Sequence, residues 1–312
     1  MEKTPVLCVA GPTASGKTAL AVRLAHCLNG EIVSMDSMQI YRRMDIGTAK
    51  PTPEEREGIP HHLLDIVEPT ESFSVAEYAQ RAETCLCEIH GRRKLPILVG
   101  GTGFYLRALT DGLHLGSVPS DPELRERLKA SAVDENGKQA LFQRLAAVDP
   151  DTATRLYPND VARVSRAVEV YLLTGKPLSQ QQNPTQERPF TFCLIGTTLE
   201  RPELYRRIEK RVDAMMTLGL LNEVRALLTS GVPPEAQAMQ GIGYKELAPV
   251  MLYHTPLEEA VALLKQNTRH YAKRQWTWFN AEKRFQWLDM AQENSTDQAL
   301  RIGEAFWKEA KE

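Results

Sequence analysis

The stretch Gly11-Pro12-Thr13-Ala14-Ser15-Gly16-Lys17-Thr18 constrains this chain more than any other part of it. It follows the apolar run Val6-Leu7-Cys8-Val9-Ala10 and leads directly into Ala19-Leu20-Ala21-Val22-Arg23-Leu24-Ala25, which has a helical period. Strand, glycine-bounded turn and helix, in that order, are the context that a phosphate-binding loop of the form G-x-x-x-x-G-K-[ST] requires. Backbone N–H groups of such a loop wrap an anion, the helix beginning near Lys17 turns its positive end toward it, and the lysine adds a full charge. Gly11 to Thr18 are therefore expected to bind a di- or triphosphate, with the Thr18 hydroxyl holding Mg2+. The loop grips phosphates and reads nothing else, so the rest of the ligand must be inferred from other residues.

A chain of 312 residues can form one large domain or two moderate ones with a sizeable core. It has no apolar run of about 18 residues, so no membrane span is expected. Met1-Glu2-Lys3-Thr4-Pro5 runs straight into the first strand, which leaves no room for a leader and predicts a cytoplasmic protein. Five scattered cysteines suit reduced core thiols, and Cys85-x-Cys87 has the wrong spacing for zinc. The net charge of -2 hides a basic region, since six Lys or Arg face the single acid Glu282 between Lys265 and Arg284.

Glu31-Ile32-Val33-Ser34-Met35 reads as the second strand and ends at Asp36-Ser37. Ligands of open α/β sheets sit outside the carboxyl ends of the strands, so Asp36 is expected to face the phosphate crevice. Met38 to Glu71 is rich in Pro and Gly and is expected to form loops with short elements over the site. Within it, His61-His62 reads as loop, because adjacent histidines point apart and no third ligand has helpful spacing. Ser74-x-x-Glu77 opens a helix to about Gly91, and Leu95-Pro96-Ile97-Leu98-Val99 is a buried strand ending in Gly100-Gly101-Thr102-Gly103. The pattern predicts an α/β fold, a P-loop NTPase-like parallel sheet flanked by helices. From about Val118 only helical periods appear, including one from Asn159 to Thr174 capped by Asn159 and stopped by Gly175. Phe190 to Gly196 then reads as a strand returning to the sheet. The expected domains are thus a core, 1–117 and 189–312, and an all-helical insertion, 118–188. Further helices are expected at Pro202 to Leu218, Asn222 to Leu228, Pro256 to Trp278 and Thr296 to Lys311.

Enzymes with this loop often carry an acid at the end of the strand that here ends in Gly100-Gly101-Thr102, where it helps hold Mg2+. Its replacement by glycines shifts weight away from ATP hydrolysis. Asp36 is the carboxylate expected beside the phosphates, either as a water-mediated Mg2+ ligand or as a general base. Arg207, Lys210 and Arg211 share a helix face, and Arg211 is placed to clamp a leaving diphosphate. Gln266, Arg269, Lys273 and Trp276 form one stripe of the long helix, and His270, Arg274 and Trp278 its neighbour. Basic residues interleaved with aromatics suit RNA, although Trp276, Trp278 and Phe279 are expected to be core anchors.

Together these segments resemble the tRNA dimethylallyltransferases, also called tRNA isopentenyltransferases. The resemblance is carried by the phosphate loop, by Asp36-Ser37-Met38-Gln39-Ile40-Tyr41, by Ile46-Gly47-Thr48-Ala49-Lys50-Pro51 and by Val99-Gly100-Gly101-Thr102-Gly103-Phe104-Tyr105. Asn159-Asp160 with Arg163 and Arg166, Gly241-Ile242-Gly243-Tyr244-Lys245, and Thr268-Arg269 through Lys273-Arg274-Gln275 complete it. The chain ends without the Cys/His pairs of the eukaryotic relatives, like the bacterial form. The resemblance implies transfer of a dimethylallyl group from dimethylallyl diphosphate to N6 of the adenosine 3′ of the anticodon in tRNA, in a monomeric enzyme. It implies Asp36 as the base, Thr102 as an orienting group and Arg211 as the diphosphate clamp, with Mg2+ on Thr18 and Asp36 a second candidate ligand. The everted base would meet Asp36, Ser37, Met38, Gln39 and Thr102. Arg125, Arg163 and Arg166 would grip the anticodon arm, while Gln240, Gly241, Gly243, Tyr244, Lys245, Arg269, Lys273, Arg274 and Gln275 would line the RNA path. Two other classes compete with this reading: a small-molecule P-loop kinase, and an RNA-binding module with a vestigial loop.

Overall fold

The apolar runs read as strands do form strands in the computed structural model, which describes residues 3–111, 120–181 and 189–311. The first segment runs β1 (Thr4–Ala10), α1 (Lys17–Leu28), β2 (Gly30–Ser34), α2 (Pro53–Arg56), β3 (His61–His62), α3 (Val75–Gly91), β4 (Leu95–Gly100) and α4 (Gly103–Thr110). Helices follow without a strand among the described residues: α5 (Pro122–Ala130), α6 (Glu135–Val148), α7 (Pro150–Ala153), α8 (Val161–Thr174) and α9 (Leu178–Gln181). The chain then returns through β5 (Phe190–Thr198), α10 (Arg201–Leu218), α11 (Leu220–Thr229), α12 (Tyr244–Leu252), α13 (Leu257–Ala281), β6 (Gln286–Asp289) and α14 (Ser295–Glu309). It divides into two compact units, Met1–Thr110 with Arg188–Glu312, and Asp111–Glu187. The boundary expected at Val118 lies outside the described residues.

In the larger unit the strands form a sheet of order β3-β2-β4-β1-β5-β6 with every pairing parallel. Helices cover both faces of such a sheet, which is why β1, β2 and β4 are buried along nearly their whole length rather than alternating. Leu20, Leu24 and Leu28 of α1 and Trp307 of α14 pack on Leu7, Val9, Ile97 and Ile195. From β1 the chain moves first to β2 and β4 on one side and later to β5 on the other. The carboxyl end of β1 is therefore the switch point at which the sheet opens a crevice. Among the described residues, no helix is long and apolar enough to cross a membrane.

Several elements differ from expectation for local reasons. His61 and His62 form an edge strand rather than loop, and His62 Nε2 bonds the buried Glu31 carboxylate at 2.7 Å. β6 buries only Leu288, so no apolar run announces it. Pro249 lies inside α12 and masks its helical pattern. The cap of α8 is Asp160, not Asn159, with the Asp160 carboxylate accepting from the Arg163 N–H at 3.4 Å. Cys27 and Cys87 are exposed, while Cys8, Cys85 and Cys193 are the expected buried thiols.

In the helical unit α5, α6 and α8 enclose a small core of Leu128, Leu141, Leu145, Val164 and Val168. Glu169 is buried beside it and accepts from the Asp121 N–H at 2.7 Å, from Arg125 at 2.7 and 3.0 Å and from Arg166 at 3.0 Å. Burial pushes this carboxyl up, but Arg125, the Asp121 N–H and Arg166 outweigh it and hold it below its usual range. A carboxyl with a depressed folded pKa stabilises the protein above the ordinary glutamate range and loses that contribution as pH falls through the folded value. Glu169→Ala should cost about 3 kcal/mol at neutral pH in urea unfolding of the full chain, because two guanidinium groups lose their shared partner. The difference from wild type should shrink on acidification below the ordinary glutamate range.

Candidate active site

The phosphate loop lies where β1 ends, and its shape is held from three directions. Ser15 Oγ donates to the Pro12 carbonyl at 2.8 Å and shares a 2.6 Å hydrogen bond with Thr197 Oγ1 on β5. Lys17 Nζ donates to the Pro12 carbonyl at 2.7 Å. From α13, Gln275 Oε1 accepts from the Thr13 N–H at 2.8 Å, while its Nε2 donates to the Gly101 carbonyl at 2.8 Å. One amide thus ties the phosphate loop to the second glycine turn. Position 101 must be glycine for this, because a Cβ there would overlap Gln275 Nε2.

The Lys17 ammonium does not carry the full charge that the loop pattern alone suggests. Burial pushes its pKa down to about 7, the Arg211 cation adds to the shift, and only Asp36 opposes it. A bound anion would oppose both effects and favour the charged form. Asp36 lies two residues past the end of β2, and its Oδ1 accepts from the N–H groups of Met38 at 2.8 Å and Gln39 at 3.3 Å. Burial raises its pKa in spite of those two N–H groups and Lys17, which suits a proton acceptor better than a permanent anion. Thr102 Oγ1 accepts from the Ser37 N–H at 3.1 Å, and the Thr102 N–H donates to the Met35 carbonyl at 3.2 Å. The Tyr271 phenol is pushed up by burial and by Asp36, while hydrogen bonds with the Thr102 and Gln275 side chains pull it the other way.

Two adjoining cavities open onto these groups. One, of about 310 Å³, is lined by Asp36, Ser37, Met38, Tyr271 and Arg274, with an apolar wall of Ile208, Val212, Met215, Leu220 and Leu264. The other, of about 410 Å³, is lined by Gly16, Lys17, Thr18 and Glu55. Arg211, Met215 and Ala49 line both, so Arg211 stands between a phosphate site and an apolar site.

The structure brings most of the expected residues together. Gln240, Gly241, Gly243 and Lys245 line the first cavity with Asp36. Two of the residues expected along the RNA path are corrected: Tyr244 is fully buried with its hydroxyl on Glu223 at 2.6 Å, and Gln275 is buried as the clamp described above. Arg269 pairs with Glu209 at 2.8 Å and Lys265 with Asp213 at 2.6 Å, so α10 neutralises part of the basic stripe and leaves Lys273 and Arg274 exposed. Gln39 turns its amide to the carbonyls of Thr48 and Ala49, at 3.3 and 3.1 Å, and so supports a loop. In the helical unit Arg125 and Arg166 are engaged with Glu169, whereas Arg163 is 75% exposed beside Asp160. Phe279 is buried, and Trp276 packs on Trp287 with ring centroids 4.7 Å apart, as core anchors should. Sequence reasoning missed Tyr271, Thr197 and the apolar stripe Ile208, Val212 and Met215, which recurs at helical spacing on the same helix as Arg211.

Among the described residues no group of three or more His, Cys, Asp or Glu is placed to hold a metal ion. The side-chain oxygens near the phosphate loop include the Thr18 hydroxyl and the Glu55 carboxylate, with Asp36 in the adjoining cavity, donors that suit a hard cation sharing its shell with phosphate and water.

A P-loop at a sheet switch point, with a buried carboxylate and an apolar cavity beside it, marks the site of an enzyme that binds a di- or triphosphate next to a second, apolar group. The chain belongs to the IPP transferase family, whose model matches residues 39–282. It is 50% identical over 290 residues to a tRNA dimethylallyltransferase of Geobacter metallireducens, covering 92% of this chain and 93% of that one. It also resembles the solved tRNA isopentenylpyrophosphate transferase of Bacillus halodurans, at TM-score 0.74 and 42% identity over 99% of this chain and 98% of that one. A eukaryotic dimethylallyltransferase solved acting on tRNA matches at TM-score 0.80 and 31% identity, over 98% of this chain and 80% of that one.

An anion bound beside Lys17 should restore its proton. Calorimetry of inorganic pyrophosphate binding at pH 8, in two buffers of different ionisation enthalpy, should therefore show proton uptake by wild type in excess of that by Lys17→Met. Equal uptake by the two would show that Lys17 is already charged in the free protein.

Proposed function

We propose that this transferase moves the dimethylallyl group of dimethylallyl diphosphate onto N6 of the adenosine just 3′ of the tRNA anticodon, releasing diphosphate and N6-isopentenyladenosine in the RNA. The observation that carries the reading is the position of Arg211 between the phosphate cavity and an apolar cavity that also holds Asp36. The diphosphate takes the P-loop side, beside Lys17 and Thr18, and the isoprenoid chain lies along Ile208, Val212 and Met215. The purine enters over Ser37, Met38 and Gly241. It must leave its stack to do so, since the cavity admits a single everted base and not a duplex.

The carbon–oxygen bond of the allylic diphosphate breaks with its electron pair going to the leaving group. The loop N–H groups, Lys17 and Arg211 face the charge that develops there. The N6 lone pair forms the new carbon–nitrogen bond, and Asp36 takes the proton that N6 gives up. Thr102, with Tyr271 beside it, orients the amine. Mg2+ would be held by Thr18, with Asp36 as a second candidate, and when bound would add positive charge at the diphosphate. Lys273, Arg274 and Arg163, all exposed, are the cations best placed for RNA phosphates. A tRNA substrate implies the cytoplasm, or an equivalent compartment, as the working location.

Incubation with dimethylallyl diphosphate, Mg2+ and unmodified tRNA should yield diphosphate and a prenylated adenosine detectable by nucleoside mass spectrometry. Consumption of ATP with the tRNA unchanged would overturn the reading. Asp36→Ala should lower turnover by ~100-fold or more with tRNA affinity little altered. The pH profile of kcat has a defined sign. The base acts only when ionised, so the rate should fall as pH drops through a pKa above the ordinary aspartate value, and that acidic limb should vanish in Asp36→Ala.

A further inference from the structure

The first cavity has two walls that come from distant parts of the chain. One is the loop Asp45 to Lys50, which presents Gly47, Thr48 and Ala49. The other is the segment Gln240 to Lys245 at the start of α12. Gln39 and Lys50 fasten the loop to its own side: Gln39 through the carbonyls of Thr48 and Ala49, Lys50 through the Tyr41 carbonyl at 2.8 Å and the carboxylates of Asp45 and Asp65, both at 2.6 Å.

Glu223 reaches across. It lies one turn into α11, whose first residue Leu220 lines the cavity. Its Oε2 accepts from the N–H groups of Asp45 at 2.9 Å and Ile46 at 2.8 Å, and its Oε1 from the Gly47 N–H at 3.0 Å. The same Oε1 accepts from the Tyr244 hydroxyl at 2.6 Å. Three successive backbone donors converging on one anion form a nest, here filled by a side chain of the protein itself. Tyr244 lies hard against Gly47, where a Cβ would come within 2.6 to 2.7 Å of Tyr244 Cζ, Cε2 and the hydroxyl oxygen. One carboxylate therefore joins both walls.

We propose that Glu223 is a positioning residue for the transfer reaction, setting the distance between the two walls of the cavity that holds the isoprenoid chain and the purine. The inference rests on the functional reading above and deepens it. Glu223 acts through the loop and through Tyr244, which explains a tyrosine that is buried rather than offered to RNA. The phosphate loop and Lys17 are held by other partners, so losing the Glu223 clamp should spare diphosphate binding and disturb the alignment of amine and reacting carbon. Misplacement by about 1 Å at a reacting centre costs up to ~100-fold in rate.

Glu223→Gln keeps the size of the side chain but removes its charge and one of its two acceptor oxygens, and the amide NH2 that replaces it cannot accept from the backbone N–H groups of Asp45, Ile46 and Gly47. It should lower kcat by ~10- to 100-fold, leave the Kd of inorganic pyrophosphate within about 2-fold of wild type, and speed amide hydrogen exchange in residues 45–47. Tyr244→Phe should lower kcat by a smaller factor in the wild-type background and by none in the Glu223→Gln background, because it acts through Glu223. Wild-type kcat and wild-type exchange in folded Glu223→Gln would overturn the proposal, as would independent, multiplicative losses in the double variant. Should Glu223→Gln fail to fold, Glu223→Asp, which keeps the charge one methylene short, must show the same split between kcat and pyrophosphate affinity or the proposal fails. The exchange measurement needs no substrate, so it separates failure of the clamp from failure of the functional reading, which wild-type turnover reports.

Discussion

Parallel strands send all their carboxyl ends to one edge of a sheet, and the chemistry of this protein depends on that. The β1–β4 register pairs Ala10 with Gly100, and the β2–β4 register pairs Ser34 with Val99. The next residues along each strand are therefore the start of the phosphate loop, the second glycine turn and Asp36. Groups separated by tens of residues meet without any long side chain having to reach. What remains to be controlled is the fine spacing of three loops: Gln275 joins two of them from α13 by accepting from Thr13 and donating to Gly101, and Thr102 joins the third by accepting from Ser37. A side-chain amide is the one common group that can donate and accept in the same plane, so it can bridge a backbone N–H and a backbone carbonyl at once.

The electrostatics of the crevice follow from crowding like charges where burial already disfavours them. Lys17 is pushed down to about 7, with Arg211 contributing, so the empty site holds less positive charge than its residues suggest. A diphosphate reverses the balance by attracting a proton back onto Lys17 and neutralising it. The full positive charge of the crevice would thus be assembled only with the anion it is proposed to bind.

The sequence was most informative where local rules act. Gly11 to Thr18 is a continuous motif whose flanks specify its context, and Ser74 with Glu77 forms the capping box that their spacing implies. The strand that leads to Asp36 was legible from its apolar run, and Asp36 lines the cavity adjoining that of Lys17 and Thr18. Residues whose roles depend on partners far along the chain were not. Gln275 and Tyr244 look like members of a polar, basic surface, and only the packing of α13 and α12 shows that both are buried. The apolar stripe of α10 reads as ordinary core, although Ile208, Val212 and Met215 line a cavity. β6 was invisible because an edge strand with one buried residue has no pattern to detect.

The second glycine turn explains why the acid common in related loops is missing. At the ends of β2 and β4 the backbones approach so closely that a Cβ on Gly100 would overlap the Met35 carbonyl. No side chain fits there, so no carboxylate can stand at the end of β4. The nearest strand end that can carry one is β2, and Asp36 occupies it. Moving the acid by one strand changes what it can do. At the end of β4 it would face the metal and the terminal phosphate, the arrangement of phosphoryl transfer. At the end of β2 it faces a cavity with an apolar wall, beyond the arginine that bounds the phosphates. A carboxylate in that place has little to offer a phosphorus centre, and the proton-acceptor role proposed for Asp36 is the one that its position suits.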